Sequence, residues 1–485
     1  MRLKDVVKNL KIISSNADMD MEISGICYDS RLACPGDLFV AVKGFESDGH
    51  KYIPKALANG ASVVLCEDMT DGSYPYVQTD DCRLGLALAS REFFGSPASK
   101  MTLIGITGTN GKTTSSYIMK HLLERALGAK VGLIGTNGNM IGDEFIHSER
   151  TTPESYELHK LFYQMAKAGC THVVMEVSSH SLILERVAGI DFDSAVYTNL
   201  TQDHLDFHGS MEAYAAAKRK LFSMCKVGCF NLDDPWAAYM MEGAECEIRT
   251  FSAENNNADL TAKDIRLSAS GVRFAAVWDG SLSLVKLGIP GMFSVHNALG
   301  VLSAGLALGI SLDKCAEALD SALGVKGRVE VVPTDGDYAL LIDYAHTPDA
   351  LENVLKTLKP VTRGRLIVLF GCGGDREKGK RPIMGEIAAA NADFCVVTSD
   401  NPRTEEPEEI IREIVAGMKN SRTPYKVICD RPAAIAWTID NSRPGDVILL
   451  AGKGHEDYQV VGHEKHHMDE REIVAAHMEK RKAAR

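Results

Sequence analysis

The chain has 485 residues and a formal net charge of −12, from 53 Lys and Arg against 65 Asp and Glu. Its length predicts about three domains, and 45% hydrophobic residues are typical of a globular protein. Nucleic-acid binding and attachment to an anionic membrane are excluded as main functions, because both need a basic face. Scattered cysteines without a CxxC pair, and an N-terminus without an apolar signal segment, predict a cytoplasmic protein without membrane insertion.

Residues 1–98 predict a small α/β domain. Strands at 36–44 and 61–68 flank a helical segment that closes at Gly60. The stretch 93–100 collects Gly, Pro and Ser, and we therefore expect the domain to end there.

Residues 99–332 predict a second domain, built on a P-loop-type parallel sheet. A strand at 101–106, a glycine-rich turn, a helix and a strand at 131–135 follow in βαβ order, which implies a parallel sheet with covered faces. The other predicted elements are buried strands at 171–177 and 193–200, an antiparallel ribbon within 246–289 and a helix at 296–309.

Residues 333–485 predict a third domain with a Rossmann-like sheet. Four apolar runs, each followed by a polar loop, alternate with helical stretches. Ligands of such sheets bind beyond the carboxyl ends of the strands, where all four loops fall. The predicted fold class is therefore α/β, with three domains.

The segment GITGTNGKTT at 105–114 is the strongest local signal in the chain. Its glycines would let backbone N–H groups approach phosphate oxygens at the start of a helix. Lys112 would reach the β- and γ-phosphates, and the Thr113 hydroxyl would hold magnesium. The glycine spacing departs from the strict Walker A pattern, and a structural glycine-rich turn is the alternative. The preceding strand and the following helix favour phosphate binding.

Three further residues of the second domain are candidates, two of them at or after the ends of buried strands and the third on a helix. Glu176 ends a strand level with the glycine-rich loop, where a carboxylate can hold a metal ion or organise water, although it could also cap a helix. By their local sequence alone, His204 is interpreted as a loop histidine and Lys218 as a solvated helix lysine.

Nine motifs occur together in this chain and resemble, in this order, those of the Mur ligases. They are TGTNGKTT, MEVSSHSL, TNLTQDHLDFHG, the helix of Lys218, SVHNALGVLSA, DYAHTPDAL, GCGGDREKGKRPIM, SDNPRTEEP and AGKGHEDYQ. The resemblance covers all three predicted domains. It implies an ATP-dependent amide ligase of peptidoglycan precursor synthesis, similar to the members that add diaminopimelate as the third peptide residue.

The resemblance also implies the reaction and its cofactors. The D-glutamate γ-carboxylate of UDP-N-acetylmuramoyl-L-alanyl-D-glutamate would take the γ-phosphoryl group of ATP, and an amine of meso-diaminopimelate would attack the acyl phosphate. Mg²⁺ and a CO₂-derived carbamate on Lys218 are the implied cofactors. The expected partners are these small molecules only, and the expected form is a monomer.

The resemblance assigns roles to residues at matching positions. The implied catalytic residues are Lys112, Glu176, His204 and Lys218, and the implied metal ligands are Thr113, Glu176, His204 and carbamylated Lys218. The implied ATP-binding residues are Gly108, Thr109, Asn110, Gly111, Lys112, Thr113, Thr114, Asn297, Arg328 and Asp343. Those for the UDP-muramoyl-dipeptide are Ser30, Phe45, Glu46, Ser47, Thr151, Thr152, Ser178 and Arg186. Those for diaminopimelate are Arg376, Asp400, Asn401, Pro402, Arg403, Gly452 and Glu456.

Two positions depart from the resemblance, and one segment can be interpreted in two ways. Arg150 and Leu184 stand where many relatives carry Asn and Gln. The tetrapeptide DNPR at 400–403 alone would be an Asn-Pro turn with an exposed arginine. Its place at a strand end beside the basic segment DREKGKR favours binding, since arginine suits bidentate carboxylate recognition.

Other proteins share the ATP loop. A folylpolyglutamate synthetase or another Mur ligase is disfavoured by the DNPR segment and the first domain. A P-loop switch or a transport-coupling ATPase would hydrolyse ATP without an acceptor. Phosphate release that requires both the UDP-linked substrate and an amine would distinguish a ligase from these.

Overall fold

A computed structural model describes residues 1–44, 47–68, 72–322 and 324–483. The chain divides into two units, one of residues 1–261 with 299–315 and one of residues 262–298 with 316–485. The three domain ranges expected from the sequence stay a prediction. Within the described part of the chain, no helix has the length and apolarity needed to cross a bilayer.

The first unit begins with a five-stranded sheet. Its elements are α1 (Leu3–Val6), β1 (Ile12–Ser15), β2 (Gly25–Cys27), β3 (Asp37–Val40), a 3-10 turn (Gly49–Tyr52), α2 (Ile53–Ala58), β4 (Val63–Cys66), β5 (Tyr76–Thr79), α3 (Cys82–Phe93) and a 3-10 turn (Pro97–Lys100). The strand order is β1-β5-β4-β3-β2, with β1 antiparallel and the others parallel. Side chains alternate across the sheet: Leu38 and Leu65 pack with α1 and α3, whereas Phe39 and Val64 pack with α2.

A larger sheet follows in the same unit. It is an 11-stranded sheet, of which the first eight strands in chain order are β6 (Thr102–Thr107), β7 (Val131–Gly135), β8 (Gly138–Ile141), β9 (Glu144–Ile146), β10 (His172–Glu176), β11 (Phe192–Tyr197), β12 (Cys225–Asn231) and β13 (Glu247–Ser252). Its helices are α4 (Lys112–Leu127), α5 (Ser155–Lys167), α6 (Ser179–Ile183), α7 (Leu205–His208), α8 (Met211–Arg219) and α9 (Ala237–Met241), with a 3-10 turn at Lys220–Ser223.

The order of these strands brings three loops to one sheet edge. It is β13-β12-β11-β6-β10-β7-β8-β9, and β13 through β7 run parallel. Strand β6 lies between β10 and β11, with Ile106 opposite Glu176 and Thr107 opposite Tyr197. The loops that follow β6, β10 and β11 therefore share the carboxyl edge, where α/β sheets bind ligands.

The segment between the two large sheets corrects one expectation. It contains β14 (Leu260–Ser268), β15 (Gly271–Trp278), β16 (Ser281–Leu287), α10 (Met292–Ala307) and α11 (Leu312–Asp320). Strands β15 and β16 form the expected antiparallel ribbon. The prediction was wrong for the start of the range, because β13 pairs in parallel with β12 across a connection that contains α9.

The second unit contains a six-stranded sheet and a hairpin. Its strands are β17 (Glu330–Val332), β18 (Ala339–Asp343), β19 (Leu366–Phe370), β20 (Phe394–Val397), β21 (Tyr425–Val427), β22 (Val447–Ala451), β23 (Tyr458–Val461) and β24 (Glu464–His467). Its helices are α12 (Pro348–Leu358), α13 (Lys380–Asn391), α14 (Pro407–Gly417), α15 (Arg431–Asp440) and α16 (Glu470–Ala483), with a 3-10 turn at Lys359–Val361.

This sheet is doubly wound, as expected from the sequence. Its order is β17-β18-β22-β19-β20-β21, and all strands except β17 run parallel. Val368 faces a core shared with α12, α13 and α14, whereas the adjacent Ile367 and Leu369 face a core shared with α15 and α16. The predicted α/β fold class is confirmed.

Helices α13 and α14 contact each other through glycines. A Cβ atom on Gly385 would lie 2.1 Å from the carbonyl oxygen of Ile414, and one on Gly417 would lie 1.8 Å from that of Pro382. The two helix backbones approach so closely that no side chain fits at either position. The loops at the start of both helices carry residues assigned to amino-acid binding, so this packing also determines how those loops are placed.

We expect Gly385→Ala to lower the free energy of unfolding by about 1–3 kcal/mol, because the added methyl group overpacks the helix contact. Gly379→Ala is the matched control, since its Cβ would meet no atom closer than 3.9 Å, and we expect a change within about 0.5 kcal/mol. Urea unfolding measures both. Equal stability of the two variants would contradict the packing described here.

Candidate active site

The glycine-rich loop joins β6 to α4. Gly108 has φ +146° and Gly111 has φ +86°, in the region that favours glycine. A Cβ on Gly108 would lie 1.9 Å from Oγ1 of Thr198. The backbone N–H of Thr109 donates to the carbonyl oxygen of Asn199 at 2.8 Å, and Oδ1 of Asn199 accepts from N–H of Asn110 at 3.0 Å. The loop is therefore held by the segment that follows β11.

Two lysines converge on one carbonyl of this loop. Lys112 Nζ donates to the carbonyl oxygens of Gly108 and Thr109, both at 2.8 Å. Lys218 Nζ donates to the same Gly108 oxygen at 2.8 Å and lies 4.5 Å from the ring centroid of Tyr214. Burial, and next the charge of Lys112, hold the pKa of Lys218 well below its ordinary value. The interpretation of Lys218 as a solvated lysine was wrong, since its side chain is buried.

Glu176 is a fully buried carboxylate at the end of β10. Its Oε2 accepts from the hydroxyls of Thr113 at 3.0 Å and Thr136 at 2.9 Å, and its Oε1 accepts from the Thr136 N–H at 3.0 Å. Burial raises the pKa of Glu176, and the charge of Lys112 partly opposes this. A Cβ on Gly135 would lie 2.3 Å from Oε1, so glycine is needed beside the carboxylate.

The oxygen atoms around Glu176 suit Mg²⁺. A threonine hydroxyl and a carboxylate are hard ligands of the kind this ion prefers, and a cation would offset the burial of the carboxylate. Among the described residues, no three His, Cys, Asp or Glu side chains form a ready metal site. Any metal held here would therefore rely on other oxygen donors as well, such as those of ATP or of a modified lysine.

His204 lies in the loop after β11 with φ +52° and a half-exposed side chain. Its ring centroid is 4.9 Å from that of His180 and 6.2 Å from that of Tyr214. His208 belongs to the same group of rings, with Nε2 2.9 Å from the Ser179 hydroxyl, and burial lowers its pKa to about 4. His204 therefore shares with Lys218 a neighbour, Tyr214.

The residues assigned to the peptide of the substrate adjoin Glu176. Thr152 Oγ1 donates to the Glu176 carbonyl oxygen at 2.8 Å and accepts from the Ser178 N–H at 3.2 Å. Arg186 donates to the Thr152 carbonyl oxygen at 3.1 Å. The Thr151 hydroxyl lies 2.9 Å from that of Thr136. These bonds link the four assigned residues to Glu176, through its backbone carbonyl, through Thr152 or through Thr136.

The residues assigned to the UDP-sugar lie in the first sheet domain. Ser30 and Ser47 line a cavity of about 450 Å³, together with Arg31, Tyr52 and Lys55. Two cationic side chains at such a cavity suit a diphosphate. Phe45 and Glu46, also assigned to this site, lie outside the described residues.

The two positions that depart from the resemblance line neighbouring cavities. Leu184 lines one of about 210 Å³ and Arg150 one of about 470 Å³. Arg150 is exposed and pairs with Glu154 at 2.6 Å, and Arg186 pairs with the same Glu154 oxygen at 2.8 Å. Tyr28 lines both cavities and the one that contains Ser30.

The nucleotide-binding residues assigned outside the glycine-rich loop lie in the second unit. Asp343 ends β18 and accepts from the N–H groups of Val329 and Ala345, both at 2.8 Å, while burial raises its pKa. The Arg328 guanidinium lies 5.4 Å from the ring centroid of Tyr344. Arg328 Nε and Asn297 Nδ2 are buried without a hydrogen-bond partner in the described chain.

The residues assigned to diaminopimelate meet at the carboxyl edge of the second sheet. Arg403 has φ +52°, an uncommon conformation for arginine, and its backbone bonds to Val460 and Gly462 hold it there. Its Nη1 donates to the Gly374 carbonyl oxygen at 2.7 Å. A Cβ on Gly373 would lie 2.9 Å from Nη1 of Arg403 and 3.8 Å from Cγ of Arg376, so both arginines adjoin this glycine.

The acidic part of this site is equally well defined. Asp400 is buried, and its Oδ2 has no hydrogen-bond partner among the described residues. A Cβ on Gly452 would lie 2.9 Å from that oxygen. Asn401, which precedes Pro402, donates from Nδ2 to Oε2 of Glu456 at 3.0 Å. Carboxylates and guanidinium groups at one sheet edge suit a ligand that carries both ammonium and carboxylate groups.

A buried arginine joins the two loops of this site. Arg381 is 1% exposed and makes two 2.9 Å bonds to Glu405, one 2.8 Å bond to Glu413 and one 3.2 Å bond to the Gly373 carbonyl oxygen. Glu405 also accepts from the Asp375 N–H at 2.6 Å. Hydrogen bonding by Arg381 lowers the pKa of Glu405 to about 2.

Sequence reasoning missed several residues of these sites. Thr136, which bonds Glu176 twice, directly follows the predicted strand at 131–135, so its position after a buried strand was a usable signal. Lys453 follows the apolar run of β22 between two glycines and is buried. The packing of Tyr28 and His180 had no local signal, because it depends on contacts between distant segments.

Three family models match the chain over separate ranges. They are the Mur ligase family catalytic domain at residues 22–81, the Mur ligase middle domain at 106–305 and the Mur ligase glutamate ligase domain at 327–454. The chain belongs to the Mur ligase family, and the resemblance found in its sequence is confirmed.

Individual relatives agree with this assignment over nearly the whole chain. A protein of Caldanaerobacter subterraneus named UDP-N-acetylmuramoyl-L-alanyl-D-glutamate–2,6-diaminopimelate ligase is 49% identical and covers 98% of both chains. One of the same name from Clostridioides difficile is 42% identical and covers 98% of this chain and 99% of its own. A solved structure of this name has a TM-score of 0.79, 33% identity and 99% coverage of both chains. MurF ligase of Thermotoga maritima in complex with ADP shares the fold, with a TM-score of 0.57, 22% identity and coverage of 95% and 97%.

We expect the stabilising effect of Glu405 to depend on pH. Its pKa falls from 4.5 to about 2 on folding, so its contribution is complete above the unfolded-state value and is lost as the pH falls toward the folded-state value. Glu405→Gln should therefore be less stable than the wild type at neutral pH. The difference should shrink between about pH 5 and pH 2.

Urea unfolding at a series of pH values measures this difference. Glu409→Gln is the control, because Glu409 is exposed and, among the described residues, forms an ion pair only with the exposed Arg412. A difference between wild type and Glu405→Gln that does not change with pH would contradict the pairing with Arg381.

Proposed function

We propose that the chain is an ATP-dependent ligase that joins meso-diaminopimelate to the D-glutamate γ-carboxylate of UDP-N-acetylmuramoyl-L-alanyl-D-glutamate, in the cytoplasm. The observation that carries the proposal is 49% identity, over 98% of both chains, to a relative of that name. The two arginines and three polar side chains at the amino-acid site support the same substrate class.

The first half of the reaction activates a carboxylate. A γ-carboxylate oxygen attacks the γ-phosphorus of ATP. The bond between that phosphorus and the ADP oxygen breaks, and an acyl phosphate forms. The start of α4 provides the phosphate site, since the N–H groups of Thr109 and Asn110 already donate to Asn199. Lys112, already placed over the loop carbonyls, supplies the cation for the β- and γ-phosphates. Stabilisation of developing negative charge is the main contribution of the protein here.

Residues around Glu176 would hold Mg²⁺. Thr113 and Glu176 supply one hydroxyl and one carboxylate, and His204 is a further candidate ligand. When bound, the ion neutralises phosphate charge and polarises the γ-phosphoryl group. Burial favours the neutral form of the Lys218 amine, which can attack CO₂. An N–C bond forms and the nitrogen loses a proton. The resulting carbamate places a negative charge beside the glycine-rich loop.

The second half of the reaction transfers the acyl group to an amine. The amine nitrogen of diaminopimelate attacks the acyl carbon, the C–O bond to phosphate breaks, and the nitrogen loses a proton. Arg403 and Arg376 are assigned to carboxylate groups of the amino acid, and Asp400 and Glu456 to an ammonium group. Orientation of the amine lowers the entropic part of the barrier.

We expect phosphate release to require both the UDP-linked dipeptide and diaminopimelate. kcat/KM for diaminopimelate should exceed that for L-lysine by more than about a hundredfold, because lysine would leave the Arg403 guanidinium without its partner. Arg403→Ala should lose about 10- to 100-fold in kcat/KM for diaminopimelate without gaining lysine use. Arg403→Lys should restore only part of the lost kcat/KM, because an ammonium supplies the charge but cannot make the paired contact.

A coupled phosphate-release assay with both amines measures these values. Arg412→Ala is the matched control, because Arg412 is an exposed arginine of α14 whose ion pair within the described ranges is with Glu409. Phosphate release with ATP alone would favour an ATPase over a ligase. Comparable use of lysine by the wild type, or an unaffected Arg403→Ala, would contradict the assigned substrate.

A further inference from the structure

A fully buried lysine lies beneath the amino-acid site. Lys453 follows β22, and none of its side chain is exposed. Its ammonium group donates to Oδ1 of Asn401 at 2.7 Å, to Oε2 of Glu456 at 3.0 Å and to the carbonyl oxygen of Tyr458 at 2.6 Å. All three N–H donors are therefore used within the protein, so Lys453 has none left for a ligand.

The first consequence concerns the Asn401 side chain. Its Oδ1 accepts from Lys453 and from the Val460 N–H at 2.9 Å, and two donors on one side of the amide determine which end is oxygen. The Nδ2 atom then faces Glu456 at 3.0 Å. One N–H of Nδ2 has no partner in the described part of the chain. Loss of the ammonium would remove the stronger of the two donors that hold this orientation.

The second consequence concerns the Glu456 carboxylate. Its Oε2 accepts from both Lys453 and Asn401, while Oε1 has no hydrogen-bond partner among residues that the structure describes. Lys453 therefore fixes one carboxylate oxygen and leaves the other available. It also balances the charge of a carboxylate that is only 14% exposed, which would otherwise be costly to keep ionised.

We infer that Lys453 is a positioning residue for the acceptor amino acid. It holds Asn401 and Glu456 so that one N–H and one carboxylate oxygen point to the ligand, and it makes no contact with the ligand itself. This inference rests on the proposed function, since it assumes an amino acid bound at Asn401 and Glu456. A lysine that only stabilised the domain would not distinguish this substrate from the others.

Steady-state kinetics of Lys453→Met tests the inference. Methionine keeps the length of the side chain and removes the three donors. We expect KM for diaminopimelate to rise about 10- to 100-fold, as for loss of charged hydrogen bonds. KM for ATP and for the UDP-linked dipeptide should stay within about twofold of wild type, since their sites lack this contact. Lys465→Met is the matched control, because Lys465 is exposed and its ammonium group lies over the Tyr458 ring, 4.2 Å from its centroid.

A double-mutant cycle with Glu456→Gln identifies the route of the effect. If Lys453 acts through Glu456, then Lys453→Met/Glu456→Gln should have nearly the same KM for diaminopimelate as Glu456→Gln alone. The double variant removes both charges. If Lys453→Met does not fold, the double variant can still be compared with Glu456→Gln.

The outcomes separate the inference from the proposed function. Additive effects in the cycle would overturn the route through Glu456. An unchanged KM for diaminopimelate, or an equal rise in KM for all three substrates, would overturn the positioning role. A wild-type protein that does not use diaminopimelate would overturn the proposed function instead.

Discussion

Charged groups are concentrated at the carboxyl edge of the larger sheet in the first unit, and the rest of that unit depends on this constraint. A buried carboxylate, Glu176, and two amines, Lys112 and Lys218, lie around one glycine-rich loop. Burial makes the charges of Glu176 and Lys218 costly, and a metal ion beside Glu176 and a carbamate on Lys218 would offset that cost. Gly135 is needed because Glu176 approaches the backbone there, and Gly108 is needed because Thr198 approaches it, in each case too closely for any side chain.

The proposed amino-acid site is built differently, because buried arginines hold its loops in place. Arg381 joins the loop after β19 to Glu405, which follows the DNPR segment. Arg431 is fully buried, bonds Glu470 at 2.8 Å and donates to the carbonyl oxygens of Ser399 and Ala451, at the ends of β20 and β22. Arg403 has a positive φ, and its backbone hydrogen bonds to Val460 and Gly462 hold this strained conformation. Such strain is typical of residues in binding sites.

Sequence patterns predicted the sheets better than they predicted the side-chain environments. The apolar runs that became β6, β10, β19 and β22 were recognisable because buried parallel strands are continuously apolar. The parallel pairing of β13 was not, because alternation does not reveal the direction of the neighbouring strand. Helical spacing could not show that Lys218 is buried, since its partner, the Gly108 carbonyl, is distant in sequence. Lys453 was missed although it follows the apolar run of β22, because its bond to Asn401 joins residues that are 52 positions apart.

Transfer of an oxygen atom from substrate to phosphate tests the acyl-phosphate route most directly. With ¹⁸O in the D-glutamate γ-carboxylate of the UDP-linked dipeptide, together with ATP and meso-diaminopimelate, mass spectrometry reads the label in the released phosphate. We expect one ¹⁸O atom from the substrate in each phosphate, because the carboxylate oxygen that attacks phosphorus leaves with it. Phosphate that carries its fourth oxygen from solvent water would contradict the ligase mechanism.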